Sequence, residues 1–215
     1  RLSRDLDLAG VSGPVSLTFQ LDYVLENNWD FFFAEVSVDG GQTYTQTKGF
    51  RVDTGQELTT PDNYTDPNGA LAAFGGLKHG YTGNSGGWRN VSHDLSPFAG
   101  RPIKLRLRYA TDAGGQERGV HVDNIRVLAG GQTIFSDPVE GGNTNGWTST
   151  PGSFQGAAVV DEGWRLSDGT KAYARYYLLE WRNPVGFDLG LKYAYNTIFA
   201  EMTAAGEREL LVDWI

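Results

Sequence analysis

Val15-Ser16-Leu17-Thr18-Phe19-Gln20-Leu21-Asp22-Tyr23-Val24-Leu25 decides the fold class of this chain. Every second position, from Val15 to Leu25, is apolar. Ser16, Thr18, Gln20 and Asp22 fill most of the gaps. Successive side chains of an extended strand point to opposite faces, so this period of two predicts a strand with one buried face and one wet face. The same logic extends outward. Phe32-Phe33-Ala34-Glu35-Val36-Ser37-Val38 predicts a second strand, running into Asp39-Gly40-Gly41 before Thr43-Tyr44-Thr45 resumes. Asp-Gly between β-prone runs is a hairpin signal. Ile103-Lys104-Leu105-Arg106-Leu107-Arg108-Tyr109 alternates with its basic residues on the wet face. Val120 to Val127 does much the same, with Val120, Val122 and Ile125 expected inward. Gly-rich turns separate these strands and no helical period intervenes, so the expectation is an all-β, antiparallel sandwich.

The organisation along the chain is less regular elsewhere. Residues 48–87 hold Pro61, Pro67 and many Gly, Asn and Thr, and read as long loops with one short strand around Leu71 to Phe74. A domain boundary is expected near Gly130-Gly131, giving a sandwich over 1–130 and a smaller, incomplete β-rich region over 131–215. Within the second region, 172–182 reads as a strand, 194–204 as a short helix and Leu210 to Ile215 as a strand whose partner is missing. The chain begins without a signal peptide and stops on apolar residues, which reads as a mature or excised piece.

Composition removes several classes. Asp and Glu outnumber Lys and Arg 26 to 18, a net charge of −8, which repels nucleic acid and anionic lipid and suits cations. No apolar run approaches the roughly 20 residues of a membrane span. Cysteine is absent, which excludes disulfides and thiolate metal sites. The three histidines, His79, His93 and His121, do not form the two-His helical pattern of a zinc peptidase, so no zinc site is expected in this chain. Gly83-Asn84-Ser85-Gly86-Gly87 looks like a serine-nucleophile loop, but no histidine has the context of a general base, and a turn leading into a Trp88 strand is the simpler reading. No residue is therefore nominated as catalytic.

Acidic loops point instead to a hard cation. Ca²⁺ takes six to eight oxygen ligands, usually gathered from loops. Glu26 and Asp30 flank Asn27-Asn28-Trp29 after the first strand, and Asp123 lies on a late strand whose polar side chain is expected to meet that loop. Glu26, Asp30 and Asp123 are the candidate calcium ligands; the alternative is that Asp30 and Asp123 cap turns or face solvent. Asp39 is better explained by its hairpin. Trp29, Trp88, Trp147, Trp164, Trp181 and Trp214 would stack on sugars if exposed, which makes a carbohydrate- or cell-surface-binding module the alternative function. Scattered Trp in a sandwich is more often core.

Several motifs share an order with a known family. Glu26-x-x-Trp29-Asp30, Ala34-Glu35-Val36-Ser37-Val38-Asp39-Gly40-Gly41, Ser85-Gly86-Gly87-Trp88, Asp94-Leu95-Ser96-Pro97-Phe98-Ala99-Gly100, Arg108-Tyr109-Ala110-Thr111-Asp112 and Asp123-Asn124-Ile125 follow one another as in the jelly-roll domains of immune inhibitor A (M6) metallopeptidases. Tyr176 to Asn183 and Gly186-Phe187-Asp188 resemble the segment that follows there. The resemblance implies a MAM-type, concanavalin-like jelly roll of a secreted metalloprotease whose zinc domain lies upstream in the same polypeptide. It further implies calcium at Glu26, Asp30 and Asp123, and protein substrates as partners. His121 stands where that family favours an aromatic, and Asn124 where a second Asp is common. The implied function is a non-catalytic accessory region.

Overall fold

The computed structural model describes residues 1–167 except 113, 116, 141, 155–156 and 159–162. The expected strands at 172–182 and 210–215 and the helix at 194–204 lie outside the described residues. Two five-stranded antiparallel sheets make a sandwich. The strands are β1 (Leu2–Asp7), β2 (Val15–Val24), β3 (Phe31–Ser37), β4 (Thr45–Gln46), β5 (Gly49–Arg51), β6 (Arg89–Asp94), β7 (Pro102–Ala110), β8 (Gly119–Ala129), β9 (Gln132–Asp137) and β10 (Thr148–Ser149). One sheet runs β10-β1-β7-β3-β4 and the other β5-β6-β2-β8-β9. A two-residue pair, β11 (Ser153–Phe154) with β12 (Ala157–Ala158), stands apart from both.

The period of two in β2 does what it predicts. Val15, Leu17, Phe19, Leu21 and Tyr23 are all buried and meet Phe32, Ala34, Val36, Leu105 and Leu107 of the facing sheet. β8 needs one correction of phase to do the same. Gln20 pairs with Asp123 but Thr18 pairs with Arg126, so Asn124 and Ile125 together oppose Phe19. Asn124 adopts a left-handed backbone, φ 51°, and the extra residue makes a β-bulge. That bulge is why Val122 and Ile125, three apart, both face inward.

Gly130-Gly131, the expected domain boundary, is the turn of the β8–β9 hairpin, with Ala129 opposite Gln132. Both glycines have positive φ (55° and 83°), as a two-residue hairpin turn requires. β9 and β10 then join the two sheets. The first compact unit spans Arg1–Leu166 and the second Ser167–Ile215.

The Leu71–Phe74 stretch, expected as a strand, is instead one turn of helix, α1 (Ala70–Ala73). The Asp66 carboxylate accepts from the backbone N–H groups of Leu71 and Ala72 (3.2 and 3.0 Å), satisfying donors that a helix start leaves free. Leu71 and Ala70 then pack with Tyr64, Phe74 and Leu77 over Phe31 and Phe33 on the outer face of β3. The long insertion is thus a cover for one sheet.

Candidate metal centre

Three loops at one end of the sandwich converge on an acidic group. The β2–β3 connection turns sharply, with the N–H groups of Trp29 and Asp30 both donating to the Glu26 carbonyl (3.1 and 2.9 Å). Asn28 sits at φ 65° and is braced on several sides: its N–H donates to Thr82 Oγ1 (2.8 Å) and its Oδ1 accepts from the Tyr64 hydroxyl (2.7 Å). Asn68 Nδ2 donates to its carbonyl (3.3 Å), so the insertion helps shape this turn.

The turn delivers Asp30 to the start of β3, wholly buried. Its Oδ2 accepts from the Tyr109 hydroxyl at 2.8 Å, and its Oδ1 from the Asp112 N–H at 3.3 Å. Glu26, Asp30 and Asp112 each bring a carboxylate oxygen within 4.8 Å of the others. Burial first, then the charges of Asp112 and Glu26, push the Asp30 carboxyl above its ordinary range, against the two hydrogen bonds that favour its ionised form. Glu26 Oε2 is buried and, among the described residues, has no hydrogen-bond partner. A buried carboxylate oxygen left unpaired beside two further carboxylates is costly unless a cation compensates it. The set consists entirely of oxygen donors, which suits Ca²⁺ and does not suit a soft metal.

Of the three residues nominated from sequence, Glu26 and Asp30 meet and Asp123 does not join them. Asp123 stands opposite Gln20 in mid-sheet, where its Oδ1 accepts from the Asn124 N–H at 2.7 Å. Gln20 lies four residues before the end of β2, roughly 13 Å at strand rise, so Asp123 is set back from the loop it was expected to reach. Asp112 takes the third place. Its signal was long-range: Phe31 pairs with Ala110, so the residues just before β3 and just after β7 come together.

Most of the other side chains singled out and described have structural partners. Ser85 Oγ donates to Asp22 Oδ1 (2.8 Å) and accepts from the Tyr23 N–H (2.9 Å), fastening the Gly-rich turn to β2. Asp39 accepts from the N–H groups of Gln42 and Thr43 (2.9 and 3.0 Å), as its place in the hairpin predicts. Its neighbours Ser37 and Thr43 hold the carboxyl well below the usual range. His93 is buried between the sheets, and no histidine belongs to the acidic group. Among the described tryptophans, Trp147 is buried and donates to Asp137 (2.9 Å), whereas Trp29 and Trp88 are exposed. Trp181 and Trp214 lie outside the described residues.

Comparison with known proteins matches residues 1–152 to a family model described as immune inhibitor A-like, MAM domain. The chain is 29% identical over 177 residues to a protein named immune inhibitor A from Bacillus thuringiensis subsp. alesti, covering 82% of this chain and 20% of that protein. It is 28% identical over 191 residues to pre-pro-metalloprotease PrtV from Vibrio cholerae serotype O1 (strain M66-2), covering 89% of this chain and 17% of that protein. The chain therefore spans about a fifth of the length of these curated relatives. Among the described residues no helix is long and apolar enough to cross a membrane.

Proposed function

We propose a function from one premise: this chain belongs to the family of immune inhibitor A-like MAM domains. On that premise it is a non-catalytic accessory region of a secreted zinc metalloprotease, bracing a catalytic domain elsewhere in the same polypeptide and helping to engage protein substrates. The observation that carries the reading is the match of residues 1–152 to the immune inhibitor A-like MAM domain, together with similarity to much longer proteins, one of them named as a metalloprotease. The chain's own residues do structural work: two sheets bury a core, and the insertion covers one outer face. Purified residues 1–215 are expected to leave casein intact with or without added zinc. Zinc-dependent casein hydrolysis by this chain would remove the reading.

Calcium is the proposed ligand of the acidic group, held by Glu26, Asp30 and Asp112. Its support is the unpartnered buried Glu26 oxygen and the crowding of three carboxylates. A bound Ca²⁺ would supply the positive charge that this crowding lacks and tie the β2–β3 turn to the segment after β7. A ligand at a hundredfold excess over its Kd adds about 2.7 kcal/mol, roughly 5–10 °C in Tm for a domain of this size. EDTA is expected to lower the melting temperature by that order, and Glu26→Gln to abolish the calcium-dependent part. Identical melting curves with calcium and with EDTA would show that the group holds no cation.

A second reading, a glycan- or cell-surface-binding module, is favoured by the exposure of Trp29 (38%) and Trp88 (49%). Indole faces open to solvent stack on sugar rings. Retention on a glycan array, lost in Trp88→Ala, would support it. An array without a hit would discard it.

A further inference from the structure

The chain contains two Asn-Gly pairs, Asn68-Gly69 and Asn145-Gly146, and the fold treats them differently. A glycine after asparagine has no Cβ to hold its backbone nitrogen away from the asparagine side chain. Once that nitrogen sheds its proton it can attack the side-chain Cγ. At Asn68 both reacting groups are occupied. The Gly69 N–H donates to the Asp66 carbonyl (3.0 Å), and Asn68 Nδ2 donates to the Asn28 carbonyl (3.3 Å). The Asp66 carboxylate, which accepts from the nearby N–H groups of Leu71 and Ala72, also opposes a negative charge on the Gly69 nitrogen.

Asn145 and Gly146 lie in an exposed turn between β9 and β10, with φ of 42° and 80°. The Trp147 N–H closes this turn on the Thr144 carbonyl at 2.8 Å. Arg4 of β1 sets the pair apart. Its Nη1 donates to the Asn145 carbonyl, the oxygen of the same peptide unit that contains the Gly146 nitrogen. The guanidinium is braced 4.2 Å over the Phe135 ring. A peptide unit that loses its N–H proton spreads the negative charge onto its carbonyl oxygen. A cation already bonded to that oxygen stabilises the charge as it forms, as the donors of an oxyanion hole do. A Cβ on Gly146 would stand 2.6 Å from Arg4 Nη1 and displace it. The glycine that frees the nitrogen thus also admits the cation.

We propose that Asn145 is a self-modification site, at which Arg4 promotes closure of a succinimide ring by the Gly146 nitrogen. The bond from Gly146 N to Asn145 Cγ forms and the Cγ–Nδ2 bond breaks. Nδ2 leaves as ammonia, taking the proton shed by Gly146. Water then opens the ring at Cγ to give aspartate, or at the main-chain carbonyl to give β-linked isoaspartate. Either product places a carboxylate beside Arg4, and isoaspartate adds one backbone atom to the turn that leads into buried Trp147. The inference stands or falls separately from calcium and from the protease reading.

The test incubates residues 1–215 at mildly alkaline pH. Asn68 and Asn145 are then followed by peptide mass and by isoaspartyl methyltransferase labelling. Asn145 is expected to convert about tenfold faster than Asn68, with isoaspartate among its products. Arg4→Gln is expected to slow Asn145 about tenfold and leave Asn68 unchanged, whereas Arg4→Lys, which keeps a cation, recovers part of the rate. Should Arg4→Gln not fold, added salt replaces it: screening is expected to slow Asn145 and to spare or speed Asn68. Conversion of Asn145 no faster than that of Asn68 overturns the proposal. So does a rate that Arg4→Gln leaves unchanged or raises, since Arg4 would then only brace the turn. A rate at Asn145 indifferent to salt would count against it in the same way.

Discussion

Gly49→Ala is expected to destabilise this domain by about 3 kcal/mol or more, one of the largest effects of any single methyl group in the described residues. A Cβ on Gly49 would stand 1.8 Å from the Tyr81 hydroxyl oxygen and 2.9 Å from His93 Cε1. Neither ring can retreat. Tyr81 and His93 are both wholly buried, His93 stacks on Phe19 at 5.4 Å, and Tyr81 packs against Phe32 and Tyr23. The methyl group would therefore overpack the core and break the 2.9 Å bond between the Tyr81 hydroxyl and His93 Nε2. Gly55→Ala is the matched control: it has positive φ (69°) and open space around it, so only the left-handed backbone penalty of about 1 kcal/mol applies. Urea denaturation of the two variants measures the difference. Equal midpoints would show that the Gly49 site relaxes freely.

Acidification is expected to cost stability through the same histidine. The Thr47 hydroxyl donates to the Ala34 carbonyl (3.1 Å) and so accepts from His93 Nδ1–H (2.9 Å), which leaves Nε2 to accept the Tyr81 proton. The neutral ring is fully used, and burial lowers its pKa to about 4 from an ordinary 6.5. An unfolded chain takes up a proton near pH 6.5 and the folded chain does not, so this contribution is complete above pH 6.5 and is lost as pH falls toward 4. The full loss is about 3 kcal/mol. Urea midpoints measured from pH 7 to 5, where most carboxylates stay ionised in both states, should fall with a slope approaching one proton. A flat profile over that range would mean that His93 titrates normally in the fold.

The local alternation in the sequence was enough to place β2 and β7, because a half-buried strand writes its burial into every second residue, whereas β3, buried on both faces, was legible only as a β-prone run ending at Asp39-Gly40, and β8 only up to its bulge. It was enough to nominate Glu26 and Asp30, which share one turn. It was also enough to remove thiolate chemistry, since composition alone decides that. The order of motifs across the chain pointed to the immune inhibitor A family, and the family match over 1–152 agrees.

Pairing across the sheets decided the remainder. Asp112 meets Asp30 only because β3 and β7 align Phe31 with Ala110, and Asp123 stands back only because β8 pairs with the middle of β2. The bulge at Asn124, the burial of Glu35 under two guanidinium groups and the capture of His93 by Thr47 and Tyr81 all join residues distant in the chain. Periodicity reports which face of a strand is dry. It carries no record of which strand lies alongside or in what register, and those relations determine which charges and hydrogen-bonding groups come together.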